Sequence, residues 1–415
     1  MIRTGLALGT ALVLIIPAAA APPSRGTITF VESWPAQTVL DLPDIPDAPD
    51  VWRDVMAHAR KRIDIASFYY SRLGDGKDAY GPAGVADGLV PVLEEVVRAS
   101  RDRHVQVRVL ADAKFHRTYP QVPDWLDNHD GITVRTFDAA AAFGGSGVLH
   151  AKYFLVDEDR LFIGSQNWDW RALGQIHELG VLVRDPGLTA DLRRIYDLDW
   201  RFAGGDTVPT GMGHAHGPSS LVTAAGDTVS AYVVGSPEGH LPAGIPWDLP
   251  AMISLIDAAR DSIHVQLLSY GVTDREKRLF DDLDRALRRA AVRGVRIRMI
   301  VSNWGTSKYR LPWLQSLAKV PGMEIRITSI PQLPGGFIPF ARVEHAKYLT
   351  CDGDAMWIGT SNWSRDYFYA SRNVGLVITG PGAPRDPDRF FNLSWHGPYA
   401  VTLDPCGEYK PPRRN

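Results

Sequence analysis

The chain has 415 residues, enough for two or three domains at about 150 residues each, and its 45% hydrophobic, 10% aromatic and 22% charged composition excludes a disordered protein. Forty-five basic against 47 acidic side chains leave a formal charge of −2, so any attraction for phosphate is local and not a field of the whole molecule. Two cysteines, Cys351 and Cys406, exclude a disulfide scaffold and a cysteine-rich zinc site; they allow at most one bridge.

Arg3, the apolar stretch Leu6 to Ile16 and Ala18-Ala19-Ala20 read as a secretory signal peptide over residues 1–20, cleaved after Ala20. The stretch is shorter than the ~20 apolar residues of a spanning helix. The expectation is therefore an exported chain, periplasmic or secreted, without a membrane span once the signal is removed.

From there the chain repeats itself. Residues 60–70 (RKRIDIASFYY) answer to 260–270 (RDSIHVQLLSY), and 104–110 (HVQVRVL) to 294–300 (GVRIRMI), all alternating at strand period. A helix is expected over Glu276 to Arg293, with Leu279, Leu283 and Leu287 on one stripe and Gly294 as its stop. Asp281, Asp282 and Asp284 share this helix with Arg285, Arg288, Arg289 and Arg293, which reads as a solvated face rather than a nucleic-acid patch.

The strongest match pairs His150-Ala-Lys152 with His345-Ala-Lys347, followed by Asp157 and Asp352. Seventeen residues after each histidine stands an asparagine, Asn167 or Asn362, in Gly164-Ser165-Gln166-Asn167 and Gly359-Thr360-Ser361-Asn362. Each unit reads strand, helix, strand, then a hairpin with His-x-Lys on its first strand, an α/β pattern with a mixed sheet. The halves span 27–203 and 228–401, with a Gly- and Pro-rich linker at 204–227 and a tail at 402–415. In the linker, His214 and His216 lack a third ligand and read as a solvated stretch.

Residues i and i+2 of a strand share a face, so each half offers an imidazole and an ammonium together. Such a pair suits a phosphate: lysine neutralises the nonbridging oxygens while imidazole attacks phosphorus or passes a proton. Covalent phosphodiester cleavage needs a nucleophile and an acid on opposite sides of phosphorus, which two hairpins about a pseudo-twofold axis supply. Asn167 and Asn362, with the Ser165 and Thr360 hydroxyls close behind, are expected to bind substrate. Metal is unnecessary to this chemistry.

The paired H-x-K-x4-D motifs and the Gly-Ser/Thr-x-Asn segments resemble the phospholipase D superfamily over nearly the whole chain after residue 20. Within it, Asp64–Tyr70, Gly164–Leu173, Glu178–Val181 and Gly359–Ser364 are similar to the lysosomal phospholipase-D-like 5′ exonucleases of single-stranded nucleic acid. The resemblance implies two tandem domains packed as a pseudo-twofold dimer, one active site at their interface, and a phosphohistidine intermediate without metal or cofactor. It also implies catalytic roles for His150, Lys152, Asp157, His345, Lys347 and Asp352. Glu178 stands 28 residues after His150 where the second half has Asn373. A carboxylate there is expected to hold His150, making it the nucleophile and His345 the acid. Asp157 and Asp352, seven residues after their histidines, face away and are expected to bond structurally.

Aromatic residues at the expected strand ends (Phe68, Tyr69, Tyr70, Trp168, Trp170, Trp363, Tyr367, Phe368, Tyr369) would stack on unpaired bases, line a lipid groove or pack the interface. The resemblance favours single-stranded DNA or RNA ends, with phospholipid as the alternative substrate and phosphatidyl transfer as the alternative reaction. No obligate protein partner is evident. A noncatalytic phosphate binder would show broken motifs; here both are intact.

Overall fold

A computed structural model describes residues 25–75, 82, 84–206, 214–274 and 276–414. The expected signal peptide lies outside them. The alternating segments form strands whose apolar side chains meet helices on both sheet faces.

The first half holds β1 (Gly26–Ser33), β2 (Arg62–Ser67), β3 (Tyr70–Ser71), β4 (Gln106–Asp112), β5 (Ile132–Phe137), β6 (Lys152–Val156), β7 (Arg160–Gly164), β8 (Trp168–Asp169) and β9 (Glu178–Arg184). The remainder holds β10 (Ser219–Thr223), β11 (Thr228–Ser236), β12 (Ser262–Leu267), β13 (Arg296–Ser302), β14 (Met323–Thr328), β15 (Tyr348–Cys351), β16 (Ala355–Gly359), β17 (Asn373–Thr379) and β18 (Ala400–Thr402). Sixteen strands make one mixed sheet in the order β18, β14, β13, β12, β15, β16, β17, β11, β10, β1, β9, β7, β6, β2, β4, β5. Outward from β10, the series β1, β9, β7, β6, β2, β4, β5 is answered by β11, β17, β16, β15, β12, β13, β14, so the sequence repeat is a repeat of topology.

Three layers of core hold this sheet. On one face, Trp52 and Val55 of helix Ala48–Ala57 and Leu93 and Val96 of helix Leu89–Arg103 pack on Ile65, Val107 and Phe154. Their counterparts Met252 and Ile256, with Leu283 and Leu287, pack on Val265, Met299 and Leu349. The other face is shared: Leu192 and Ile195 of helix Pro186–Gly204 and Phe390 and Trp395 of helix Arg385–His396 join one core with Tyr153, Val181, Tyr348 and Leu376. Burial at about 25 cal/mol per Å² along this shared layer joins the halves through apolar contact as well as through strands.

Two expectations change. The helix expected from Glu276 begins at Asp282, because the chain before it closes a loop through the Thr273–Leu279 bridge and the Phe280 N–H to Val272 O bond. Leu279 is accordingly exposed while Leu283 and Leu287 are buried. Part of the expected linker is strand β10, parallel to β1 and antiparallel to β11. Cys351 and Cys406 are both free, Cys351 buried in β15 and Cys406 exposed. No helix among the described residues is long and apolar enough to cross a membrane.

Candidate active site

Each His-x-Lys segment enters its hairpin pinned by the other half. The His150 N–H donates to Arg372 O at 3.0 Å beside a Leu149–Arg372 bridge, and the His345 N–H to His177 O at 2.9 Å beside a His177–Glu344 bridge. These crossings set the heads of β9 and β17 against the opposite histidines. His345 Nδ1 lies 2.8 Å from Glu178 Oε2, and His150 Nδ1 lies 3.0 Å from Asn373 Oδ1. The expected pairing of Glu178 with His150 is therefore corrected: the carboxylate crosses to His345, and Asn373 takes His150. The oxygen acceptors require Nδ1 to carry the proton, leaving each Nε2 lone pair for chemistry. The Asn373 amide is oriented by its own bonds, Nδ2 to Tyr367 O at 2.8 Å and Thr360 Oγ1 to its Oδ1 at 2.9 Å.

Lys152 and Lys347 are buried, and each donates Nζ to the carbonyl of its own histidine. Burial pushes Lys347 down to about 7 although Glu178 pulls the other way, and burial with the Lys347 charge drives Lys152 well below the usual ammonium range. His345 is pushed down to about 4 by burial against the pull of Glu178. His150 is driven well below its ordinary value by burial, then by Lys152 and Lys347. Burial works to raise the Glu178 carboxyl, but His345 and Lys347 outweigh it and hold it low. Four basic groups against one paired carboxylate leave a buried site short of negative charge. A phosphate diester anion supplies it, whereas this donor set repels a cation.

His150, His345, Asn167 and Asn362 open into one cavity of about 280 Å³ together with Arg171, whose guanidinium is fixed by Asp169. Its wall is aromatic. Phe68 lies 5.1 Å from His150 and 3.9 Å from Phe115, and Tyr69 stacks on Tyr119 at 5.2 Å. Tyr367 meets His150 edge-on at 4.7 Å, and Trp304 and Phe340 close the far side.

Of the other expected site residues, Asp157 and Asp352 act as the spacing indicates. Both sit in left-handed turns; Asp157 accepts the N–H groups of Arg60, Lys61 and Arg62, and Asp352 those of Arg260, Asp261 and Ser262. Each carboxylate ties the HxK hairpin to the strand beside it. Ser165 and Thr360 do not reach the cavity as expected: Ser165 exchanges bonds with the Leu179 backbone, and Thr360 bonds Asn373 and the Val374 N–H. They brace the residues that hold the histidines. Tyr70, Trp168, Trp170, Trp363 and Phe368 belong to cores and Tyr369 is exposed beside Trp247, leaving Phe68, Tyr69 and Tyr367 on the cavity. Phe115, Tyr119, Arg171, Trp304 and Phe340 were not foreseen; Arg171 alone had a signal, inside the matched Gly164–Leu173 segment.

Residues 47–320, more than half of the chain, match the family described as "PLD3/4, PLD-like domain", and residues 252–395 match "Cardiolipin synthase, PLD-like domain". The human "5'-3' exonuclease PLD3" is 31% identical over 406 residues, covering 90% of this chain and 80% of that protein. "Phospholipase D Z" of Dictyostelium discoideum is 29% identical over 396 residues, covering 91% of each. Among solved structures, phosphatidylserine synthase of Haemophilus influenzae superposes with a TM-score of 0.59 at 12% identity, covering 86% of this chain and 85% of that one, a likeness of fold. With both HxK segments meeting in one basic cavity, this chain belongs to the phospholipase D superfamily, near its PLD3/4 branch, and is a phosphodiesterase.

Proposed function

We propose that the protein is an exported, metal-independent exonuclease of single-stranded nucleic acid, working from the 5′ end. The carrying observation is the run of packed rings, Phe68, Phe115, Tyr69 and Tyr119, that leads away from His150, with Tyr69 stacked on both Phe115 and Tyr119. Unpaired bases stack on such a run for roughly 1–3 kcal/mol each whatever their sequence. The polarity follows the name of the PLD3 relatives.

The hydrogen-bond pattern supports roles that are the reverse of the sequence expectation. His345, with Nδ1–H on the Glu178 carboxylate, is the nucleophile; its Nε2 forms the bond to phosphorus as the P–O bond to the leaving group breaks. His150 gives its Nε2 proton to that leaving oxygen. It then takes a proton from water, whose oxygen attacks phosphorus as the P–N bond breaks and His345 is restored. His150 is kept neutral by burial first and then by the Lys152 and Lys347 charges; the substrate phosphate, held by both lysines and the Asn167 and Asn362 amides, offsets those charges and favours its protonation.

Phospholipid is the second reading, favoured by the apolar wall and by the phospholipase D name of the Dictyostelium relative. Purified protein and a His345→Ala control, both in EDTA, are compared on labelled single-stranded oligonucleotide and on phosphatidylcholine vesicles. His345-dependent shortening of the oligonucleotide from its 5′ end is expected. Headgroup release from vesicles alone would replace the nuclease reading.

A further inference from the structure

The segment from the end of β1 to the first helix gathers acidic groups that do not line the cavity of the two histidines. Carboxylate oxygens of Glu32, Asp41 and Asp47 lie within 4.8 Å of one another. Oxygens at 2.3–2.6 Å from a shared Ca²⁺ can stand at most about 5 Å apart, so this spacing allows all three carboxylates to reach one ion. Glu32 is 0% exposed; its Oε1 accepts the Leu42 N–H at 2.7 Å, while Oε2 is buried without a partner. None of the three carboxylates has an ion pair among the described residues, whereas neighbouring Asp44 has Arg389 at 2.6 Å. A buried, unpartnered carboxylate oxygen beside two more carboxylates is a costly arrangement, and a cation relieves it.

The repeat supplies an internal comparison. Ser33 pairs with Glu178 as Ser236 pairs with Asn373, and the bridge Glu32–Asp47 recurs as Gly235–Trp247. In that second copy the corner is filled by apolar groups: a Cβ on Gly235 would stand 3.0 Å from Leu241 Cδ2, and Ile245 is buried beside it. The turn can thus be closed by ordinary packing. The acids of the first copy are not required by the fold.

We propose that Glu32, Asp41 and Asp47 form a structural site for a hard divalent cation of the calcium class, separate from the phosphodiesterase centre. Three carboxylates supply the charge and water completes the oxygen shell. The ion would fasten a segment that reaches the second half, where Arg342 donates to Ala36 O at 2.7 Å.

Trp34 makes the site testable, because its Nε1 donates to Asp47 Oδ1 at 3.1 Å and places an indole at the cluster. The full chain is stripped with EDTA, dialysed and titrated with Tb³⁺ under tryptophan excitation; its melting temperature is then taken with and without CaCl₂. Saturable sensitised emission at one ion per chain, displaced by Ca²⁺, is expected, with a Tm rise of about 3–6 °C in saturating Ca²⁺. Asp41→Asn, at a half-buried turn position, should weaken both effects at least about 10-fold in concentration. Absence of saturable emission, a Ca²⁺-insensitive Tm, or an Asp41→Asn protein that binds like the parent overturns the proposal in favour of a proton shared among the carboxylates. Asp41→Asn carries the test even if Glu32→Gln fails to fold. These readouts require no nuclease activity.

Discussion

Replacing Glu178 by glutamine removes one charge and keeps the shape of the site. The carboxylate stands 2.8 Å from His345 Nδ1 in a fully buried position. Attack on phosphorus turns His345 into a cationic phosphoimidazolium, so this pair is worth more in the transition state than in the ground state. At an effective dielectric constant of about 20, Coulomb's law gives roughly 6 kcal/mol at that separation. The amide returns a neutral hydrogen bond of about 1–1.5 kcal/mol. About 3–5 kcal/mol of transition-state stabilisation is then lost, a fall of roughly 10²–10⁴ in kcat with KM little changed. Bis(4-nitrophenyl) phosphate is the first assay substrate, since its leaving group departs without a proton. On it, Glu178→Gln and His345→Ala should both be severely impaired while His150→Ala keeps the first step. Rapid acid-free quenching and peptide mass spectrometry should place a 4-nitrophenyl phosphoryl group on His345. A Glu178→Gln enzyme within threefold of the parent, or that group recovered on His150, would refute the assignment drawn from the crossed hydrogen bonds.

The depressed value of His345, about 4, has a definite sign. Its ¹⁵N shifts should show a neutral, Nδ1-protonated ring from pH 8 down to near pH 4; protonation near 6.5 would contradict the buried geometry. The folded-state value lies below that of the unfolded chain, so the contribution of this group to stability is whole above pH 6.5 and is lost as pH falls through 4. At 1.36 kcal/mol per unit it amounts to about 3 kcal/mol. Asp248, raised to about 7 by burial, runs oppositely and gains stability on acidification, so Asp248→Asn should show a steeper acid loss in urea melts than the parent; parallel curves would count against the Asp248 shift. Asp352→Asn keeps a residue that tolerates the left-handed turn and loses the charge facing three N–H groups at 2.8 Å. A cost of about 1–2 kcal/mol, discounted for solvent, with kcat per folded molecule unchanged is expected; a large fall in kcat at unchanged stability would show that Asp352 takes part in the chemistry.

The histidines, lysines and the duplicated order of strands were legible because an HxK repeat with matched spacing to asparagine survives in linear sequence. The partner of each histidine was not, since Glu178 follows His150 by 28 residues yet meets His345 across the sheet. Distance along the chain says nothing about a crossing made by backbone bonds at His177 and Arg372. The roles of Ser165 and Thr360 were hidden for the same reason: a hydroxyl near the site bonds whichever acceptor the fold brings up, here the β9 backbone and Asn373. The aromatic clusters announced themselves by composition, but which rings face the cavity depends on packing. Trp168 lies 5.2 Å from Trp52 inside a core, while Phe68 faces His150.

The crossed pairing bears on symmetry. If either half assembled with a copy of itself, both histidines would receive identical partners, two glutamates or two asparagines, and neither would be marked for attack or for protonation. Joining two unequal copies in one chain lifts that degeneracy. In the proposed mechanism, a carboxylate at residue 178 and an amide at residue 373 give the reaction a direction that a self-paired half could acquire only from the substrate.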